Sequence, residues 1–262
     1  NFTLMKKSNI LRALLLVSLL STLTACGTWS NAQSIPPTTV APSTTTTLVE
    51  TGISASGQRS GPSAQASQKK LLELGFWLEN PNGKFDDTTT QAVMAFQKYF
   101  QLRPTGNINV ATAYLLERMS SPASATTKEG TLAEVDKSRQ LLFLVQDGIT
   151  TYVMNTSTGD DRAYEEPDAN TPGVMIKGTA VTPVGSFKIN RERPDGWWIG
   201  DLGQIYRPKY FIGGVAIHGS MSVPAYPASH GCVRVTVKAM DFIWDNDILL
   251  RGTQVLVYGE IS

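Results

Sequence analysis

The sequence uses some residue types very sparingly. It contains two histidines and two cysteines among 262 residues, so at most one intramolecular disulfide is possible. Its 23 basic and 22 acidic side chains give a formal net charge of +1. This small charge gives no strong field to attract nucleic acid, and we expect no nucleic-acid partner. The hydrophobic content of 41% suffices for ordinary cores, and the length predicts roughly two domains.

One cysteine ends a short apolar segment near the N-terminus. Basic side chains at positions 6, 7 and 12 precede an apolar run over residues 13–23, and small residues then lead to Cys26. A membrane-spanning helix needs about 20 apolar residues, so the pattern predicts a secretory signal peptide over residues 1–26. The ending Leu-Thr-Ala-Cys resembles the bacterial lipoprotein box, which implies lipidation of Cys26 and an exported chain anchored to the cell envelope. An ordinary signal peptide with an incidental cysteine is the alternative.

The other cysteine lies close to both histidines. His218, His230 and Cys232 share one short stretch, and acylation of Cys26 would leave Cys232 without an intramolecular disulfide partner. A lone cysteine in an exported protein is a reactive thiol, an intermolecular link or an inert buried side chain. A neighbouring imidazole activates a thiol by taking its proton, which leaves a thiolate–imidazolium pair. The stretch therefore predicts a cysteine nucleophile.

A polar segment separates the leader from the folded regions. Residues 27–64 are rich in Pro, Thr and Ser, and such a segment buries too little apolar surface to offset its ordering entropy. We expect a disordered tether there. Residues 65–120 then show helical periodicity, a Thr88-x-x-Gln91 capping box and a candidate helix cap at Asn109. This pattern predicts a small three-helix bundle.

The predicted bundle also resembles the peptidoglycan-binding type 1 family. The segments that carry the resemblance are Leu71-Leu72-x-Leu74-Gly75-Phe76, Gly83-Lys84-Phe85, Thr89-Thr90-Gln91-Ala92-Val93-Met94-Ala95-Phe96-Gln97 and Leu102-x-x-x-Gly106. The resemblance implies sugar or peptide binding, and it assigns no ligand residues. A structural spacer with buried aromatic side chains is the open alternative.

The rest of the chain, over residues 130–259, is rich in strand patterns. The patterns predict a hairpin over residues 141–154 and further strands over residues 184–190, 214–217 and 254–258. They also predict one helix over residues 237–245, capped by Thr236. Many short strands separated by Gly and Pro favour a mainly-β sandwich or barrel-like domain. The predicted fold class is therefore multidomain α + β, a three-helix bundle followed by a mainly-β domain with one or two helices.

The histidine–cysteine stretch begins at the end of a predicted strand. That strand delivers His218 to the sheet edge, and a loop containing two prolines returns the chain to Cys232. Gly231 allows a tight turn, and the N–H groups of Gly231 and Cys232 are candidate donors to an oxyanion. Arg234 supplies a guanidinium that would bind a substrate carboxylate or brace the loop.

This region closely resembles the L,D-transpeptidase catalytic domain (the YkuD type). The matching segments are Thr182-Pro183-Val184-Gly185-Ser186-Phe187, His218-Gly219 and Ser229-His230-Gly231-Cys232-Val233-Arg234. The resemblance implies that Cys232 attacks the carbonyl between a diamino acid at position 3 and D-Ala at position 4 of a donor stem tetrapeptide. D-Ala leaves, and the side-chain amine of an acceptor stem resolves the thioester to give a 3→3 peptidoglycan cross-link.

The same resemblance assigns roles within the motif. It makes His218 the general base, oriented by the Gly219 carbonyl, and gives His230 and Ser229 supporting places beside the nucleophile. The residues alone do not distinguish the two histidines, so His230 as the base is the alternative. No cofactor is implied, and carbapenems are implied as inhibitors.

Two other segments are long or unusually polar. Acidic residues crowd positions 160–168, and positions 197–210 are aromatic; either segment would form a lid, recognise the acceptor stem or remain a surface loop. Tyr206 and Tyr210 are candidate substrate-binding residues.

Three other functions stay open from the residues alone. Two histidines and a cysteine would also suit a zinc ion with a bound water, although His-x-Cys is not a usual ligand spacing. Attack of water on the thioester would make the protein an L,D-carboxypeptidase. A non-enzymatic wall-binding lipoprotein is the alternative from a different class.

Overall fold

The computed structural model describes residues 52–261. The predicted signal peptide, with Cys26, and most of the predicted tether lie outside the described residues. Three helices come first: α1 (Pro62–Glu73), α2 (Asp87–Tyr99) and α3 (Val110–Arg118). Twelve strands and a fourth helix, α4 (Val237–Asp245), follow in the described residues. No helix in this part of the chain is long and apolar enough to cross a membrane.

The strands form two five-stranded sheets and one separate hairpin. Their bounds are β1 (Leu132–Asp136), β2 (Leu141–Gln146), β3 (Ile149–Asn155), β4 (Ala163–Pro167), β5 (Met175–Thr179), β6 (Gly185–Lys188), β7 (Arg191–Glu192), β8 (Trp197–Gly200), β9 (Gly203–Ile212), β10 (Val215–Ser220), β11 (Val233–Thr236) and β12 (Gln254–Tyr258). The first sheet has the order β3-β2-β1-β12-β6. The second has the order β11-β10-β9-β7, with β8 also paired to β9, and β4–β5 is the hairpin. The predicted class, a helical region followed by a mainly-β domain, is confirmed.

Strand β2 is apolar at successive positions because it is buried on both faces. Leu141, Phe143 and Val145 pack into one core with the helices, whereas Leu142 and Leu144 pack into a second core with the other sheet and α4. A strand buried on both faces needs apolar residues at every position. The first sheet is therefore a middle layer, and the second sheet, which carries the histidine–cysteine stretch, lies on its far side.

The helical region packs directly on this middle layer. Phe76 and Phe96 are fully buried in the core that also contains Phe143 and Val153. The Trp77 N–H donates to the Val153 carbonyl at 3.1 Å. The two regions predicted as separate domains, residues 65–120 and 130–259, thus share one apolar core. Burial of these aromatic rings agrees with the spacer alternative for the helical region.

Two predictions about the helical region need correction. The Thr88 capping box is wrong, because the helix cap lies two residues earlier, at Asp86, which accepts the Thr89 N–H at 2.9 Å. The tether does not extend to residue 64, because α1 starts at Pro62 and Gly57 forms a two-way backbone bridge with Ile108.

The other predicted caps are correct. Asn109 caps α3 by accepting from the Thr112 N–H at 2.9 Å. Thr236 caps α4 by accepting from the Ala239 N–H at 3.1 Å. Each cap satisfies an N–H that would otherwise lack a partner at a helix start.

Candidate active site

The second sheet brings the predicted nucleophile and base to one cavity. In the parallel pair β10–β11, His218 lies opposite Arg234, and Cys232 immediately precedes β11. The Cys232 Sγ accepts the Ala216 N–H at 3.4 Å, which holds the thiol against β10. Cys232, His218 and Arg234 all line a cavity of about 520 Å³.

The surroundings of His218 define which ring nitrogen is basic. Its Nδ1 lies 2.8 Å from the Gly219 carbonyl oxygen. A carbonyl only accepts, so Nδ1 carries the proton and Nε2 keeps its lone pair. Burial lowers the pKa of His218 to about 4, so the ring is neutral at neutral pH. Gly219 must lack a side chain here, because a Cβ would lie 2.9 Å from the Tyr206 ring and 3.1 Å from Met240.

Burial also keeps the thiol protonated at rest. It raises the pKa of Cys232, although the Ala216 N–H and the Arg234 charge act in the opposite direction. A neutral thiol therefore accompanies a neutral imidazole. The sequence predicts a thiolate–imidazolium pair, whereas the two pKa shifts favour the neutral form of both groups in the resting protein.

A network of hydrogen bonds shapes the turn that carries Cys232. The Ser229 hydroxyl donates to the Cys232 carbonyl at 2.5 Å and accepts the Gly231 N–H at 3.0 Å. The Thr182 hydroxyl donates to the Gly231 carbonyl at 2.7 Å. Gly231 has φ +132°, and a Cβ there would lie 2.6 Å from the Val181 carbonyl oxygen. Only glycine fits this position without strain.

These hydrogen bonds bear on the predicted oxyanion donors and bring Thr182 into the site. The Gly231 N–H already has an acceptor, so it is not a free oxyanion donor in this conformation. The Cys232 N–H, by contrast, has no hydrogen-bond acceptor among residues 52–261. Thr182 was absent from the predicted site, although its Thr-Pro-x-Gly-x-Phe segment signalled it.

His230 lines the cavity beside an acidic partner. Its Nε2 lies 2.9 Å from Glu166 Oε1, and its ring meets the Tyr164 ring edge-on at 4.8 Å. Both partners belong to β4, which is distant in sequence. These contacts are consistent with a supporting role for His230, because its ring contacts Glu166 and Tyr164.

Tyr210 and Tyr206 lie on different sides of the sheet. Tyr210 lines the cavity, as predicted. Tyr206 does not: it packs toward α4, and its hydroxyl donates to Asp241 at 2.9 Å. Between them Arg207 has φ +45°, which breaks the side-chain alternation of β9. Tyr206, predicted as a substrate-binding residue, is therefore not among the residues that line this cavity.

Both segments singled out as lids border the cavity. Tyr164 and Thr179 of the β4–β5 hairpin and Trp198 of the β8–β9 hairpin line it. The tip of the β4–β5 hairpin contacts the tip of the β8–β9 hairpin at Asp201. The Asp201 backbone carbonyl accepts the Ala169 N–H at 2.8 Å, and its carboxylate accepts from the Asn170 side-chain amide at 3.1 Å. The two hairpins thus form connected walls.

The zinc alternative would require a cluster of metal-ligating side chains. Across residues 52–261, no three His, Cys, Asp or Glu side chains are grouped so that they would hold a metal ion.

Comparison with known proteins agrees with this geometry. Residues 130–257 match the family described as L,D-transpeptidase catalytic domain, and residues 60–116 match the putative peptidoglycan binding domain. The crystal structure of an L,D-transpeptidase (residues 123–326) from Xylanimonas cellulosilytica DSM 15894 is 38% identical with a TM-score of 0.69. That alignment covers 76% of this chain and 95% of the other.

Other matches are more distant. An L,D-transpeptidase (Yku) from Stackebrandtia nassauensis is 20% identical, with a TM-score of 0.44 and coverage of 80% of this chain and 97% of the other. No curated protein matches the chain. The 38% identity over nearly all of the Xylanimonas structure is decisive: this chain belongs to the L,D-transpeptidase family and carries a peptidoglycan-binding domain before its catalytic domain.

Proposed function

We propose that this protein is an exported L,D-transpeptidase that forms 3→3 peptidoglycan cross-links through a thioester on Cys232. One observation supports this chemistry above the others. His218 donates its Nδ1 proton to the Gly219 carbonyl, so Nε2 is the basic nitrogen in the cavity that Cys232 also lines.

The first half-reaction acylates the enzyme. The Cys232 sulfur attacks the carbonyl of stem residue 3 while His218 Nε2 takes the thiol proton. The free Cys232 N–H is the available donor to the oxyanion of the tetrahedral intermediate. The carbon–nitrogen bond then breaks, His218 returns the proton to the departing amine, and D-Ala leaves.

The second half-reaction transfers the acyl group. The side-chain amine of an acceptor stem attacks the thioester carbonyl and gives a proton to His218. The carbon–sulfur bond breaks, the sulfur regains its proton, and a new amide links the two stems. Ser229 and Thr182 position the turn throughout, because their hydroxyls brace both sides of Gly231.

Mass spectrometry of the purified protein with a disaccharide-tetrapeptide tests the proposal. A stem dimer that has lost one D-Ala identifies a transpeptidase. A tripeptide product identifies the L,D-carboxypeptidase, in which water resolves the same thioester. No mass change in the substrate would leave the non-enzymatic wall-binding function and overturn the proposal.

The two peptidoglycan-acting domains indicate a cell-envelope or exported location. We further propose that Cys26 is lipidated and anchors the chain to the membrane. The experiment compares membrane and soluble fractions for wild type and Cys26→Ala. Release of the variant from the membrane fraction supports the anchor, and unchanged fractionation contradicts it.

A further inference from the structure

Two arginines that the proposed mechanism does not use lie in the wall of the active-site cavity. Arg191 and Arg193 both line it, next to the β8–β9 hairpin. Glu192, between them, points to the other side of the sheet and pairs with the buried Lys209 at 2.7 Å. Strand alternation therefore presents both guanidinium groups on the face that carries the nucleophile.

Both guanidinium groups are held by aromatic rings. Arg191 lies 3.9 Å from the centre of the Tyr210 ring, and Arg193 lies 3.6 Å from the centre of the Trp198 ring. Stacking of this kind fixes a guanidinium plane while leaving its edge free to donate hydrogen bonds. The arrangement is therefore a preorganised pair of forked donors.

The donors of this pair have few acceptors within the protein. Among residues 52–261, neither Arg191 nor Arg193 forms an ion pair. Arg191 makes one long hydrogen bond, to the Gly213 carbonyl at 3.4 Å, and Arg193 Nε is buried without any partner. Buried polar groups nearly always have a partner, so this one points to an acceptor that the described chain does not supply.

The charge of the cavity is also unbalanced. Arg191, Arg193 and Arg234 line it, and Asp201 is the one acidic residue in its lining. The Asp201 carboxylate already accepts from Asn170, and Glu166 is engaged by His230. Three guanidinium groups therefore create a positive field in a concave site, which favours an anionic ligand.

The strand register places Arg191 two strands away from Ala216, whose N–H contacts the Cys232 sulfur. Arg191 pairs with Tyr210 across β7–β9, and Tyr210 pairs with Ala216 across β9–β10. Neighbouring strands lie about 4.8 Å apart, so the Arg191 and Ala216 backbones are roughly 10 Å apart. An extended peptide covers this span with about three residues.

We propose that Arg191 and Arg193 form a carboxylate subsite that selects stem peptides with free carboxylates over the same peptides with those groups amidated. The inference rests on the proposed function, because it names the substrate class of that cavity. A primary amide has no charge and offers a single acceptor oxygen, whereas a carboxylate accepts both N–H groups of a guanidinium fork.

The test separates binding from turnover. Calorimetric titration of the Cys232→Ala variant uses two donor tetrapeptides that differ only in amidation of their free carboxylates. A charge-assisted hydrogen bond is worth about 1.5–3 kcal/mol, which converts to a preference of roughly 10- to 150-fold for the carboxylate peptide. Arg193→Gln in the same background should reduce this preference to within about threefold, mainly by weakening carboxylate-peptide binding.

The matched control is Arg251, an arginine that does not line the cavity. Arg251 is exposed in the turn before β12, so Arg251→Gln should leave the preference unchanged. Equal affinity of the Cys232→Ala protein for both peptides, or equal loss of both with Arg193→Gln, overturns the subsite. Failure of the proposed function is distinct: the Cys232-bearing enzyme would then not turn over either peptide, whatever the binding preference.

Discussion

At the residue scale, the proposed mechanism assigns the nucleophile to the Cys232 thiol and the base to the His218 imidazole. Cys232→Ala removes the proposed nucleophile without creating a clash, since alanine is smaller than cysteine. We expect cross-linking to fall below detection while the thermal unfolding temperature stays within a few degrees of wild type. The measurements are mass spectrometry of products and calorimetry. Turnover by the variant would contradict a cysteine nucleophile.

The pKa of His218 makes a second prediction at the same scale. Burial lowers that pKa to about 4, so Nε2 stays unprotonated down to that pH. We expect the rate of Cys232 acylation by a carbapenem to fall on the acid side with a midpoint near pH 4, because protonated imidazole cannot take the thiol proton. Single-turnover mass spectrometry across pH measures it. A midpoint near the ordinary histidine value would contradict this burial effect.

Alanine variants assign the base. His218→Ala should slow acylation by about 100-fold or more, as expected for loss of a general base. His230→Ala should retain the acid midpoint, because its ring pairs with Glu166. The opposite pattern, with a large loss only in His230→Ala, would reverse the assignment.

At the element scale, α2 is joined to the first sheet by one buried lysine. Lys98 Nζ donates to the Gln140 carbonyl at 3.0 Å, to the Thr156 carbonyl at 3.2 Å and to the Asn155 side-chain oxygen. Burial lowers the pKa of Lys98 to about 7. Lys98→Met would remove the lysine donor from all three acceptors, of which the Gln140 carbonyl keeps the Thr156 N–H at 3.1 Å. We expect a loss of about 3 kcal/mol in the free energy of unfolding, measured by urea denaturation.

The same lysine predicts the direction of a pH effect. Its folded-state pKa lies below the unfolded value, so between pH 7 and about 10 the unfolded chain binds more protons than the folded one. The stability of wild type should therefore rise over this range relative to Lys98→Met. Lys69→Met, on the exposed face of α1, is the control and should change neither quantity. A flat difference across this range would contradict the lowered pKa.

At the scale of the whole molecule, the helical region and the sheets behave as one unit. The helices cover Leu141, Phe143 and Val145. Gln91 of α2 also donates to the Val223 carbonyl, in the loop between His218 and Cys232, at 3.2 Å. Burying a large apolar side chain contributes roughly 1.5–3 kcal/mol, so removing the helices would expose a face that the fold requires to be covered.

Truncation provides the corresponding prediction. Residues 120–262 alone should fail to give a cooperative thermal transition, whereas the chain from residue 52 onward should unfold in a single one. Calorimetry and near-ultraviolet circular dichroism measure both. Two separated transitions in the longer chain would show that the helical region folds independently of the sheets.

Much of the fold and part of the site were predictable from local patterns. The β2–β3 hairpin, α4 with its Thr236 cap and the order of helical and β regions followed from hydrophobic periodicity and turn residues. The α2 cap was misplaced by two residues, because Asp86 and Thr88 both offer a side-chain oxygen and only backbone geometry selects between them.

The sequence by itself determined the candidate residues for the chemistry, because Cys232, His218, Gly219 and Gly231 lie in short motifs whose spacing is that of the proposed site. Only the tertiary structure decided which distant groups join them. Glu166 reaches His230 from a separate hairpin, Arg191 and Arg193 enter the cavity wall through strand pairing, and Tyr206 leaves it because of the left-handed Arg207. These placements depend on long-range register and on one backbone dihedral, neither of which a local pattern specifies.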